Sequence, residues 1–119
     1  MNISIKATNI ELTSALKDYT EKRMAGIMKF TEGGEAEIAV EIGKTTSHHR
    51  QGDVFAASAN VTTTLGKLYH AASQKADLYE AIDDIRDEIV REIKSARGKR
   101  DSLFKRGARR VKNILKGFR

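Results

Sequence analysis

The sequence predicts an α+β fold in the order β-α-β-β-β-α: a four-stranded sheet with two helices packed on one face, followed by a basic C-terminal tail. Three observations predict it. Four stretches, 2–7, 35–43, 54–64 and 67–76, place inward residues at every second position, the period of a half-buried strand. Two stretches, beginning at Thr13 and Asp77, place apolar residues every three or four positions, the period of a helix. Proline is absent from all 119 residues, so no helix or ladder is broken by it.

In the first strand Ile3 and Ile5 point one way, and Asn2, Ser4 and Lys6 the other. Thr8-Asn9 follow as turn formers. Thr13 can cap the first helix by accepting from a free backbone N–H in its first turn. Leu16, Tyr19, Arg23, Ile27 and Phe30 then recur at helical steps, with Leu12 ahead of the cap and Met24 and Met28 widening the stripe. Gly33-Gly34 is the expected stop.

The second strand turns Ala36, Ile38, Val40 and Ile42 inward and Glu35, Glu37 and Glu41 outward. Residues 44–52 read as a polar loop. The third strand puts Phe55, Ala57, Ala59 and Val61 on one face, and Leu65-Gly66 reads as a two-residue hairpin turn. The fourth returns with Tyr69, Ala71 and Ser73 inward. Asp77 and Glu80 then form a capping-box spacing ahead of the stripe Leu78, Ile82, Ile85, Ile89 and Ile93, with Gly98 as the first break. All apolar faces are satisfied if both helices cover the same side of the sheet, which leaves the other side polar and wet.

The chain divides at residue 98. Residues 1–98 form the folded domain, and residues 99–119 a basic extension. Residues 1–93 hold 11 Lys/Arg and 15 Asp/Glu, a balance of −4; residues 94–119 hold 11 Lys/Arg and one acid, Asp101, a balance of +10. So asymmetric a charge is expected to seek a polyanion. In the extension Phe104, Ala108, Val111, Leu115 and Phe118 fall at helical steps among Lys105, Arg106, Arg109, Arg110, Lys112 and Lys116, a basic amphipathic helix over 102–116. A solvated terminus and a membrane-surface helix fit the same pattern.

Catalysis finds little support. Cysteine is absent, which excludes thiol catalysis and disulfides and suits a reducing cytoplasm. No Gly-rich phosphate loop is present. His48 and His49 adjoin in a loop near Asp53, but adjacent loop residues give poor bite geometry and His70 is on a distant strand, so no metal and no other cofactor is expected. Asp83, Asp84, Asp87 and Glu88 read as a solvated face shared with Arg86 and Arg91 rather than an acid/base pair. No apolar run approaches the ~18 residues of a membrane span. The N-terminal residues lack the charged start and long apolar stretch of a secretory signal, so neither insertion nor export is expected.

RNA binding finds more. Lys17, Lys22, Arg23 and Lys29 stand along the first helix, and Lys22 and Lys29, seven apart, share a face. Arg91, Lys94, Arg97, Lys99 and Arg100 gather toward the end of the second, where cations also meet the negative pole of the helix dipole. Each phosphate such a cation neutralises releases counterions. Glu21 can offset part of the first cluster, and exposed cations commonly decorate helices without a partner. With only seven Phe and Tyr, readout of folded RNA by shape and phosphate position is favoured over base stacking.

Asp77-Leu78-Tyr79-Glu80-Ala81-Ile82-Asp83 resembles the Asp-Leu/Met-Tyr-x-Ala-Ile-Asp opening of the last helix in the hibernation promoting factor and ribosome-associated inhibitor A family, also called the sigma-54 modulation family. Asn9-Ile10-Glu11-Leu12-Thr13-Ser14-Ala15-Leu16 resembles its Asn-Ile/Met-Glu-Ile/Leu-Thr-x-Ala-Leu/Ile stretch, and the resemblance runs to about residue 97. It implies a fold similar to double-stranded-RNA-binding domains. It implies a non-enzymatic role: binding 16S rRNA of the small ribosomal subunit, in the 70S ribosome as well, over the mRNA channel and tRNA sites, and blocking translation sterically in stationary phase. Arg23, Lys29 and Arg91 match basic family positions, whereas Glu88 departs from a position often held by lysine, so that Lys94 or Arg97 would stand in for it. The extension departs too. It is too short for the second domain of long members and lacks the acidic end of some short ones. It is expected to contact further rRNA or a ribosomal protein. A general binder of structured RNA is the competing expectation.

Overall fold

A computed structural model describes residues 2–31, 35–45 and 53–96. The elements are β1 (Asn2–Thr8), α1 (Ser14–Ala25), a 3-10 segment (Gly26–Phe30), β2 (Ala36–Lys44), β3 (Phe55–Thr63), β4 (Leu68–Lys75) and α2 (residues 78–96). The order of strands and helices is the predicted one. His48, His49, the Gly33-Gly34 pair, Gly98, Arg97, Lys99, Arg100 and the 102–116 helix lie outside the described residues.

The strands lie in the order β1-β2-β3-β4. β1 runs parallel to β2, and β3 and β4 follow antiparallel. Registers such as Ile5↔Val40, Val40↔Ala59 and Ala59↔Ala71 carry one inward row across all four strands. Ile38, Val40, Ile42, Ala57, Ala59, Val61 and Ala71 in that layer are buried. They join Leu16, Met24, Ile27 and Met28 from the first helical region and Leu78, Ala81, Ile82, Ile85, Ile89, Val90 and Ile93 from α2 in one core. The opposite face, with Ser4, Glu37, Glu41, Asn60 and His70, is exposed. Because a strand alternates its side chains, the pattern of apolar residues alone selects which face the helices cover.

The directions of the strands also fix those of the helices. β1 and β4 point the same way, each is followed by a helix that returns across the sheet, and so α1 and α2 run parallel to one another. Their contacts climb together: Tyr19 meets Tyr79, Arg23 meets Asp83, and Phe30 meets Lys94.

Three local expectations are corrected. The first helix does not run unbroken to Gly33; it tightens to 3-10 geometry at Gly26, a residue of low helix propensity. The hairpin is not a two-residue turn: Gly66 N–H closes on the Thr63 carbonyl, Thr63 and Lys67 pair, and Gly66 takes φ 81°, leaving a three-residue loop. Asp77 caps α2 through Tyr79 N–H at 2.9 Å, but Glu80 returns no bond to Asp77, so the capping box is half made. The cap at Thr13 forms as expected, accepting from Leu16 N–H at 3.2 Å.

Gly43 has a steric reason. At the end of the parallel ladder it faces Thr8, and a Cβ there would lie 2.2 Å from the Thr8 carbonyl oxygen. Nearby, Asn9 takes a positive φ of 59°, a conformation asparagine tolerates. The polar turn after β1 was legible for that reason.

Candidate nucleic-acid interface

The seam between α1 and α2 holds two of the predicted cations, Arg23 and Lys94. On α1, Tyr19 and Arg23 are one turn apart and both turn toward α2. The Tyr19 hydroxyl donates to Asp83 Oδ1 at 2.6 Å, and Arg23 Nε lies 2.8 Å from the same oxygen and 3.3 Å from the Tyr19 hydroxyl. The Arg23 guanidinium also sits over the Tyr19 ring, 5.4 Å from its centre. The tyrosine pKa is raised, first by its bond to the Asp83 carboxylate and then by burial. That of Arg23 is raised by its bond to Tyr19 and by the charge of Asp83, so its positive charge is secure.

At the far end of the seam, Lys94 Nζ stands 4.9 Å from the centre of the Phe30 ring. Lys29 is exposed next to Phe30, so Lys29 and Lys94 occupy the same end of the layer. The first helical region ends there, at Phe30, which sets the negative pole of its dipole beside Lys29. Lys22 is exposed one position before Arg23. Lys17 is exposed but not part of the seam: it lies about 160° around the helix from Tyr19. Arg91 is exposed on α2 and paired with Glu88 at 2.6 Å.

The acids of α2 correct the reading of one solvated face. Asp87 and Glu88 do pair with Arg86 and Arg91 along the helix surface, at 2.9 and 2.6 Å. Asp83 instead bridges to α1, and Asp84 bonds Ser73 at 2.9 Å and approaches Lys75 at 3.6 Å on β4. Arg23 was therefore found as a cation but missed as an ion pair. The available signal was weak: Tyr19/Arg23 and Tyr79/Asp83 are each four apart, so each pair shares a helix flank.

Among the described residues no group of three or more metal-ligand side chains gathers, and no helix is long and apolar enough to cross a membrane. Asp53 pairs with Lys44 at 3.0 Å, and His70 Nδ1 lies 2.7 Å from Asn60 Oδ1. What the seam offers chemically is Arg23, held by Asp83 and Tyr19, and Lys94 at the far end, with Lys22 and Lys29 exposed beside them, a set of cations suited to an extended anionic surface.

Comparison with known proteins gives the family and the fold. Residues 3–101 match the family described as Sigma 54 modulation protein / S30EA ribosomal protein. The ribosome hibernation promoting factor of Klebsiella oxytoca is 26% identical over 94 residues, covering 78% of this chain and 90% of that protein. Its namesake from Escherichia coli K12 is 22% identical over the same span. The crystal structure of the Thermus thermophilus Protein Y N-terminal domain superposes with a TM-score of 0.63 and 28% identity, over 80% of this chain and 98% of that one.

Proposed function

Because the chain belongs to the Sigma 54 modulation protein / S30EA ribosomal protein family, we propose that it is a cytoplasmic ribosome hibernation factor, one that binds the small subunit and keeps mRNA and tRNA out by occupying their space. The observation that carries the proposal is the parallel packing of α1 and α2, which sets Arg23 and Lys94 along one seam with the exposed Lys22 and Lys29 beside it. Cations set on packed helices hold a defined spacing at their backbones, and a row of them matches the spaced phosphates of folded 16S rRNA. The hibernation role borne in the names of the relatives supports the same reading.

Binding at the mRNA channel and tRNA sites requires no reaction, only bulk and complementary charge. Arg97, Lys99 and Arg100, then Lys105, Arg106, Arg109, Arg110, Lys112 and Lys116, extend the basic surface in sequence, and we assign them to further rRNA or a ribosomal protein. Deletion of residues 99–119 tests that assignment; unchanged affinity and salt dependence would remove it.

The principal test is sedimentation of the purified chain with 30S subunits and 70S ribosomes through sucrose at low and high salt, paired with an initiation assay. Comigration with small subunits that weakens with salt, together with blocked initiator tRNA binding, is the expected result. Absence of comigration at low salt, or initiation undisturbed by the bound protein, refutes the proposal. Equal affinity for free duplex RNA moves the chain to a general structured-RNA binder instead.

A further inference from the structure

Arginine presents its donors on two edges. One edge joins Nε to a terminal nitrogen, and the other joins the two terminal nitrogens. In Arg23 the Nε–H donates to the Tyr19 hydroxyl at 3.3 Å, and the same nitrogen is ion-paired with Asp83 Oδ1 at 2.8 Å. The Tyr19 hydroxyl is itself anchored, donating to that same Asp83 oxygen at 2.6 Å. The Tyr19 ring lies beneath the guanidinium, and Tyr79 meets that ring edge-on with centres 4.8 Å apart. Among the described residues the two terminal nitrogens of Arg23 have no partner, and the side chain is 44% exposed. The head group is thus held on one side and open on the other.

We propose that Asp83 and Tyr19 are positioning residues, which grip the Nε of Arg23 so that its terminal nitrogens meet a single RNA phosphate in a two-pronged contact. The inference rests on the RNA-binding reading above and names what makes one of its cations geometrically specific. A free arginine at the same place loses several rotatable bonds when it docks; a gripped one has already lost them. A planar fork fixed in direction also selects a phosphate at a defined position and not any nearby negative charge.

The idea opposes simple charge counting. Asp83 is negative and close to the phosphate that Arg23 would hold, so removing it raises the net charge by one and, by electrostatics alone, tightens binding to a polyanion. Positioning predicts the opposite sign.

The experiment measures affinity of the full chain for purified 30S subunits across a salt series. It compares the parent with Asp83→Ala, Asp83→Asn and Tyr19→Phe, and with each change placed in an Arg23→Ala background. Thermal melts accompany each protein. Expected are a loss of about threefold to tenfold for Asp83→Ala, a smaller loss for Asp83→Asn, which keeps an acceptor oxygen, and about twofold for Tyr19→Phe. In the Arg23→Ala background these losses vanish, and Asp83→Ala binds slightly more tightly than its background. The inference is overturned if Asp83→Ala or Asp83→Asn binds as well as the parent or better. It is overturned equally if the losses persist undiminished without Arg23, which would make the pair a helix clamp and nothing more. Should Asp83→Ala fail to melt cooperatively, Asp83→Asn and Tyr19→Phe decide by the same criteria. A parent chain that does not bind 30S refutes the underlying function, whereas a parent that binds beside unaffected variants refutes only the positioning role.

Discussion

Replacing Glu88 changes the number of cations available to RNA in a countable way. Its carboxylate lies 2.6 Å from Arg91 Nη1, three residues along the exposed surface of α2. Glu88→Gln releases Arg91 and adds no new cation, so one further phosphate contact becomes available. Glu88→Lys releases Arg91 and adds a cation, so two become available. Each neutralised phosphate steepens the dependence of log K on log salt by about 0.7 to 0.9. The slope is therefore expected to steepen by about 0.8 in the glutamine variant and about 1.6 in the lysine variant. Between 0.1 and 0.2 M salt, the lysine variant loses roughly threefold more affinity than the parent, and the glutamine variant just under twofold more. At low salt both bind more tightly than the parent. Stability is a poor confounder, because Arg91 is 73% and Glu88 44% exposed and an exposed pair of this spacing contributes only about 0.2–0.5 kcal/mol. Filter binding to 30S subunits at five or six salt concentrations is the assay. Three superimposable slopes would show that this part of α2 does not face phosphate, and the reasoning from the seam outward would fail for Arg91.

The remaining predictions concern the fold. Gly43→Ala brings a methyl to 2.2 Å from the Thr8 carbonyl oxygen, so the ends of β1 and β2 must part; urea unfolding should register a loss of about 1–3 kcal/mol, and an unchanged midpoint would contradict the close approach. Thr13→Ala leaves the Leu16 N–H without its 3.2 Å acceptor and should cost about 1 kcal/mol in the same assay. The pKa of Tyr19 in the folded chain is raised above its unfolded value, so the protonated phenol stabilises the fold. That contribution is fully present below the unfolded tyrosine value of about 10 and is lost as pH rises through the higher folded value. Melting curves from pH 8 upward should fall more steeply for the parent than for Tyr19→Phe, and identical pH profiles would show that the Tyr19–Asp83 bond carries no such linkage.

Where the sequence was read correctly, the signal was local. β2 alternates without error from Ala36 to Ile42 because each residue's face depends only on the pleat. The α2 stripe is legible because Leu78, Ile82, Ile85, Ile89 and Ile93 follow the turn of the helix, and all five are buried. The Thr13 cap spans three residues and needed no tertiary knowledge. The errors at Gly26, Gly66 and Glu80 arose where two nearly equal local geometries compete. An α-turn and a 3-10 turn, or a two- and a three-residue hairpin, differ by little until packing chooses between them.

By itself the sequence determined which residues are inward, how many elements form, and that positive charge gathers on the helices and the C-terminal extension. Only the tertiary structure decided that α1 and α2 run parallel, that Arg23 is gripped by Asp83, and that Lys17 stands apart from the seam while Lys94 joins it. Periodicity reports an angle around one element's own axis, whereas the Tyr19–Asp83 bond joins residues 64 apart, whose meeting depends on the directions of all four strands between and beside them.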